Sequence, residues 1–371
     1  MISASHLNSY PRRIGSCWPA SWTAGRLGIG FLNLLASIQF VWFYVNRVPS
    51  FIKLLPYEQG HERTPLQYRL LLMLPLRWAH ESPWLNSLAA RLTAQRGWFH
   101  AGVRPEGILE AAIDLTCIAV AGLAARKLYR ASSRTGLLTP LIYPLVLVMA
   151  NGAYSLLTIY PLRFVYDLPS LAFFSVGLCL IYFRTHPLWF MALFAVATLN
   201  RETTLLLLLC FAIAQCKRGP AWDWQQIYSP GSLAVLLPLS GYWIGWHLWV
   251  VRHFAANPVV PFPGVWLNIG LLLLPIAWPQ MIGAFAYLWP VVFAGRRRIL
   301  DPVLRAWLWV VPVWIAFMFR FGIILEIRIF AELIPYIAVL AVLVFEENLL
   351  KKLESKTPAP AAEWAEAGGS A

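Results

Sequence analysis

Nine apolar runs dominate the chain, and most approach or exceed the roughly 20 residues that an α-helix needs to cross a bilayer. They are residues 27–45, 107–125, 137–157, 168–183, 187–216, 232–251, 266–294, 303–319 and 329–345. Runs of this length leave little choice of fold. In hydrocarbon every backbone amide must be bonded internally, which a helix achieves within one segment. Continuous runs without alternation select the helix. The expected class is therefore all-α, a polytopic transmembrane helix bundle.

Composition agrees where it bears on that choice. Apolar residues make up 59 % of the chain and charged residues only 13 %, against about a half and a quarter in ordinary soluble domains. A soluble enzyme, a disordered protein and a nucleic-acid-binding domain are excluded on that ground. The net charge of +13 then needs another explanation, and cytoplasmic loops that orient a membrane protein provide one.

Charge also settles the number of crossings. The run 187–216 is interrupted by Asn200-Arg201-Glu202-Thr203 and is read as two short crossings around that turn. The run 266–294 contains Pro275 and Pro279 and is read as one kinked crossing. The total is about ten, with both termini in the cytoplasm. In this arrangement 17 Lys and Arg residues lie on cytoplasmic stretches. Five lie in short outer turns: Arg163, Arg201, Arg252, Arg320 and Arg328. Reading 187–216 as one crossing would place Arg296-Arg297-Arg298 outside, against the positive-inside rule. The expected organisation is a cytoplasmic segment 1–26, one transmembrane domain 27–346 containing an outer loop 47–106, and a disordered cytoplasmic tail 347–371. The polar stretch before the first apolar run, with no small-residue cleavage site after it, does not read as a cleavable signal.

The five cysteines, Cys17, Cys117, Cys179, Cys210 and Cys216, show no metal-binding spacing and read as small core residues. No phosphate-binding loop, His-Glu-x-x-His or Gly-x-Ser-x-Gly motif occurs.

The large first outer loop is expected to carry two amphipathic helical pieces at the interface, over Leu66–Trp78 and Trp84–Gln95. Just after the first span lies the densest polar cluster, Tyr57-Glu58-Gln59-Gly60-His61-Glu62-Arg63-Thr64-Pro65-Leu66-Gln67-Tyr68-Arg69. Other polar residues fall on the same face in this topology: Glu110 and Asp114, four apart on one helix side; Arg163, Tyr166 and Asp167; Arg201 and Glu202; Arg252 and His253; Glu326, Arg328 and Glu332. Charges inside spans cost about 3 kcal/mol each and face a partner or a cavity. An outward polar cavity under the loop is the expectation.

Glu58 and Glu62 are the candidates for a catalytic base or for metal ligands. The competing reading is a solvated carboxylate paired with Arg63 or Arg69. His61 could shuttle a proton or bind phosphate, or be surface polarity. Arg201-Glu202 is a catalytic pair or a structural ion pair that fixes the turn. Arg328 could fork onto a lipid phosphate or neutralise Glu326 or Glu332. Trp84 and Trp98 are the candidates for sugar stacking among tryptophans that otherwise form interfacial belts.

The loop acids after span one, together with Tyr166-Asp167-Leu168-Pro169, Asn200-Arg201-Glu202-Thr203 and Glu326-x-Arg328-x-Phe330-x-Glu332, resemble the GT-C superfamily of integral-membrane glycosyltransferases. That resemblance implies transfer of a sugar from a polyprenyl-phosphate donor to an envelope glycan, lipid or protein acceptor, with inversion, at the outer face of the inner membrane. It places the base at Glu58 or Glu62, where the superfamily commonly has Asp. It leaves His61, Arg63, Arg69, Arg201, Glu202 and Arg328 for substrate binding, and allows a divalent cation. Rival readings are a transporter or lipid flippase, an acyltransferase using His61, and a structural assembly subunit.

Overall fold

A computed structural model describes residues 22–94, 102–156, 162–217, 221–260 and 264–355. Cys17, Trp98, Arg218 and residues 356–371 of the tail lie outside these. Among the described residues the chain is helical, and the only extended pairings are isolated bridges, Ser50 with Arg163 and Thr64 with Val259. The helices are α1 (Trp22–Arg47), α2 (Leu54–Glu58), α3 (Met73–Glu81), α4 (Pro83–Ala94), α5 (Pro105–Ser132), α6 (Thr139–Asn151), α7 (Asp167–Tyr182) and α8 (Pro187–Asn200). They continue with α9 (Leu205–Cys216), α10 (Pro230–His253), α11 (Gly264–Leu272), α12 (Trp278–Gly283), α13 (Leu288–Ala294), α14 (Pro302–Trp307), α15 (Val310–Phe321) and α16 (Ile334–Glu354).

Local chemistry explains several of the starts. Pro105, Pro187, Pro230 and Pro302 each open a helix, where a missing N–H costs nothing and φ is already set. The Ser229 and Asp301 side chains accept the backbone N–H groups of Ser232 and Leu304, each satisfying one orphan donor of the first turn.

Seven helical stretches are long and apolar enough to cross a membrane: Leu27–Arg47, Pro105–Ser132, Thr139–Leu156, Pro230–His253, Pro275–Ala294, Pro302–Phe321 and Ile327–Glu354. Three shorter apolar helices, Asp167–Tyr182, Pro187–Asn200 and Glu202–Cys216, occupy the other expected runs. The surface carries many large apolar side chains, among them Leu27, Phe31, Leu32, Trp266 and Ile276. In water such a surface would drive association; lipid tails solvate it. This is the pattern of a multi-pass membrane protein.

α5 packs against α7 and α6, and also touches α1, α3, α4 and α16. At the centre lies the last helix: residues 327–344 are buried without exception. Close approach of the helices depends on small residues. A Cβ at Gly122 of α5 would lie 2.5 Å from the Tyr143 ring, and one at Gly177 of α7 would lie 2.7 Å from Leu207.

Two expected elements differ. The stretch Leu66–Trp78 is a 3-10 turn at Leu66–Tyr68, then irregular chain, with α3 starting only at Met73. Pro75 accounts for this: it is tolerated in a first turn but would break a helix running through it. The run 266–294 is three helices, α11, α12 and α13. Pro275 and Pro279 stand at or near the starts of the short helical turns Pro275–Ala277 and α12. A second interruption has no proline: Phe285, Ala286 and Tyr287 have φ of 58°, 52° and 62°, a left-handed run costing about 1–2 kcal/mol per residue. The Tyr287 ring lies over Gly283, where a Cβ would be 3.1 Å from Cζ.

Candidate functional site

The segment between α1 and α5 folds over one end of the bundle. Its turn after α2 is tied down by Glu62 and Asn257. Glu62 is buried; Oε2 accepts the Lys53 amide at 3.0 Å, and Oε1 accepts Arg63 N at 3.0 Å and Nε at 3.1 Å. The Glu62 amide donates to Gln67 Oε1 at 2.9 Å. Asn257, after α10, donates to the carbonyls of Gly60 and Glu62 at 2.9 and 2.8 Å. Both Glu62 oxygens are thus engaged in holding the turn. Arg63 also lies over the Phe51 ring at 5.0 Å. His61 is exposed, and its side chain makes no hydrogen bond or ion pair among the described residues.

Glu58 faces elsewhere. It ends α2, is 3 % exposed, and its Oε1 has no hydrogen-bond partner. Its Oε2 lies 3.9 Å from His80 Nδ1 on α3. The same Nδ1 is 2.5 Å from Oε1 of Glu106, in the first turn of α5. Glu106 Oε2 is also buried without a partner. Burial, followed by the negative charge of Glu106, pushes the Glu58 carboxyl up to about 7, with His80 opposing. His80 is raised too, chiefly by its hydrogen bond to Glu106, against the opposing effect of burial. The His80 side chain is 50 % exposed, so solvent reaches one edge of a cluster whose carboxylates are covered. Neither His80 nor Glu106 stands out in the sequence. The sole sequence signal was that His80 shares the Glu58 segment.

The three groups offer ligand atoms within 4.8 Å of one another. Two carboxylates, each with a second buried oxygen that has no partner, and one imidazole nitrogen form a hard, mixed O/N donor set that suits a divalent cation. The same set can share a proton.

A second polar assembly lies deeper, where α7, the α8–α9 turn and the start of the last span meet. Arg201 Nη1 is 3.4 Å from Asp167 Oδ1 and 3.2 Å from Glu332 Oε1. Arg328 contacts Asp167 Oδ2 at 3.5 Å and Glu326 Oε2 at 2.5 Å. Arg69 Nε reaches Glu202 Oε2 at 3.4 Å. Thr203 donates to Glu332 at 2.7 Å, and Asn200 donates to Tyr166 O and Ser170 Oγ. Aromatic faces complete it: Arg328 lies 3.7 Å over Phe164 and Arg69 lies 4.0 Å over Tyr166. The carboxylates answer the arginines here. Arg201 and Arg328 are buried; Arg69, Glu202 and Glu326 form the partly exposed edge. Beside it, Arg163 pairs with Glu110 at 2.6 Å, and Asp114 is buried one turn further along.

The two assemblies adjoin through Tyr57, next to Glu58, whose hydroxyl donates to the Arg69 carbonyl. Trp84 is exposed on α4, and the described cysteines are free, with Cys179, Cys210 and Cys216 buried. Compared with sequence-family profiles, curated proteins and solved structures, the chain has no match.

Proposed function

We propose that the protein is an integral-membrane glycosyltransferase of the GT-C kind, moving a sugar from a polyprenyl-phosphate donor to an envelope glycan, lipid or protein acceptor. In this reading the seven long and three short apolar helices make ten crossings of the inner membrane. Both termini are cytoplasmic and the Glu58 end faces outward.

The observation that carries the reading is Glu58: a buried, half-unpartnered carboxyl on the first helix after the first span, raised to about 7 beside a half-exposed imidazole. A base is most effective with a pKa near the working pH. The acceptor hydroxyl gives its proton to Glu58 while its oxygen attacks the anomeric carbon. The bond from that carbon to the phosphate oxygen breaks, polyprenyl phosphate leaves with the electron pair, and the configuration inverts. His80, held by Glu106, positions the Glu58 carboxylate. Arg69, partly exposed and paired with Glu202 alone, is the cation offered to the leaving phosphate, whereas Arg201 and Arg328 are buried and each bridges two carboxylates. A divalent cation held by Glu58, His80 and Glu106 would supply positive charge that stabilises developing negative charge.

A transporter or lipid flippase is the second reading. It draws on the interrupted α12–α13 segment, since broken helices are a feature of transporter sites.

Mass spectrometry of polyprenyl-linked sugars and envelope glycans in a deletion strain tests both readings. The strain is complemented with wild type or Glu58→Gln at equal membrane abundance. Transfer predicts accumulation of one sugar-lipid, loss of one glycan residue, and failure of the Gln variant to restore it. Restoration by Glu58→Gln removes the base assignment. An unchanged glycan with a lipid stranded in one leaflet supports the flippase.

A further inference from the structure

The other end of the bundle carries a site of its own. α9 leads from the Thr203–Glu332 contact to Lys217, 12 residues and about 18 Å away. There a cavity of about 540 Å³ opens between the ends of α9, α13 and α14. Lys217, Arg296, Arg297 and Arg305 line it, with Trp222 and Trp309 among its apolar walls. No carboxylate lines it among the described residues. The acids closest in sequence are engaged elsewhere. Asp301 accepts from Leu304 N at 2.9 Å and Tyr182 OH at 2.7 Å, and Asp223 accepts from Gln225 N at 3.1 Å and Gln226 Nε2 at 2.8 Å. Lys217 is buried against the Trp222 ring at 5.5 Å, whereas the three arginines are exposed at the mouth. Arg296 spends one N–H on the Phe293 carbonyl. Arg297 and Arg305 have no ion-pair partner among the described residues.

Charges that served only to orient the chain would need no shared concavity. Four cations around one cavity form a phosphate site, since guanidinium groups fork onto phosphate oxygens. The apolar part of the wall selects the source. Trp309, Leu308 and Pro312 flank the cations, and Trp309 is 66 % exposed, as an indole at a membrane interface is. We infer that this cavity binds the phosphate headgroup of an anionic phospholipid, with the acyl chains passing along the α14–α15 face. Basic pockets between membrane helices commonly take such headgroups. The inference is independent of the transferase reading.

The test is native mass spectrometry of the purified full chain with equal amounts of phosphatidylglycerol and phosphatidylcholine of the same acyl length. Phosphatidylglycerol is expected to survive activation that strips phosphatidylcholine. In Arg297→Gln/Arg305→Gln its retention falls about thirty-fold, given about 1 kcal/mol for each basic residue against anionic lipid. In Arg297→Lys/Arg305→Lys retention falls less than in the Gln variant, because the charge stays while the fork is lost. Equal retention of the two lipids by the wild-type chain overturns the proposal, as does a Gln variant that binds like wild type. Displacement of the lipid by equimolar glycerol 3-phosphate or inorganic phosphate also overturns it, because the site would then read a free anion.

Discussion

Oε2 of Glu58 lies 3.9 Å from Nδ1 of His80, close enough that each group's charge favours the other's. The contact joins the helix that follows the first span to a helix that packs on α5, so the protonation of Glu58 is coupled to how the segment over the bundle is seated.

The first consequence is a pH profile. A base must be deprotonated to act, and Glu58 is raised to about 7. Transfer measured with a polyprenyl-phosphate sugar should rise between pH 6 and 8 with a midpoint near 7. Glu58→Gln should lower kcat by about 10²–10⁴-fold and abolish the pH dependence. A profile flat from pH 5.5 to 8.5 would sink the assignment.

Stability should run the other way. A carboxyl raised on folding binds more protons in the native state, so its contribution is present at acid pH and lost as pH climbs from about 4.5 towards about 7. His80, also raised, adds stability below 6.5 that is lost as pH rises through its folded value. Both act in the same direction. The Tm of wild type in detergent should fall from pH 5 to pH 8, and Glu58→Gln should fall less.

Metal binding gives a third test. Mn²⁺ or Zn²⁺ competes with the proton on these ligands, so affinity should increase with pH. Titration calorimetry should show one site in the wild type, weakened more than tenfold in His80→Gln. If both proteins bind alike, the cation sits elsewhere.

Arg201 is the shared cation of Asp167 and Glu332. Replacing it with Ala leaves the buried Glu332 without an ion-pair partner and Asp167 with Arg328 alone, at a cost of about 3–5 kcal/mol. The variant should melt markedly lower and accumulate poorly in membranes, and Lys should rescue only in part because it lacks the planar fork. Wild-type melting of Arg201→Ala would mean that the network is not a structural element.

Gly122→Ala pits two effects against each other. Ala gains about 1 kcal/mol in helix propensity, while overpacking costs about 1–3 kcal/mol. The Tyr143 ring would sit 2.5 Å from the new carbon and is held by a 2.9 Å hydrogen bond to Ser37, so destabilisation should win. Gly231→Ala, with nothing within 4 Å, should be neutral or better in the same thermal melt.

Hydropathy was enough to place the apolar helices, because each buries or lipid-exposes a continuous run. The Asn200–Thr203 break was legible because polar residues interrupt that run. The division at Phe285–Tyr287 was not legible. Those residues are ordinary apolar ones, and their left-handed backbone follows from tertiary packing. In the site, Glu58 stood out as the acid nearest the first span. Its partnership with His80 and Glu106 did not, since α3 meets α5 only in three dimensions. Glu62 shared the chain neighbourhood of Glu58, yet its side chain turns toward the Lys53 and Arg63 amides. Distance along the chain carries no information about that choice.

The unbroken burial of residues 327–344 sets an order of assembly. The helices that enclose this stretch are all made before it, so during synthesis they surround a place that nothing yet fills. A ribosome that stalls before residue 327 releases a chain whose lining, including Asp167 and Arg201, has no partner from the last helix. Such a fragment keeps the Asp167–Arg201 pair but lacks the Arg328 and Glu332 contacts that complete it. This helix therefore completes the ion-pair network as well as the packing.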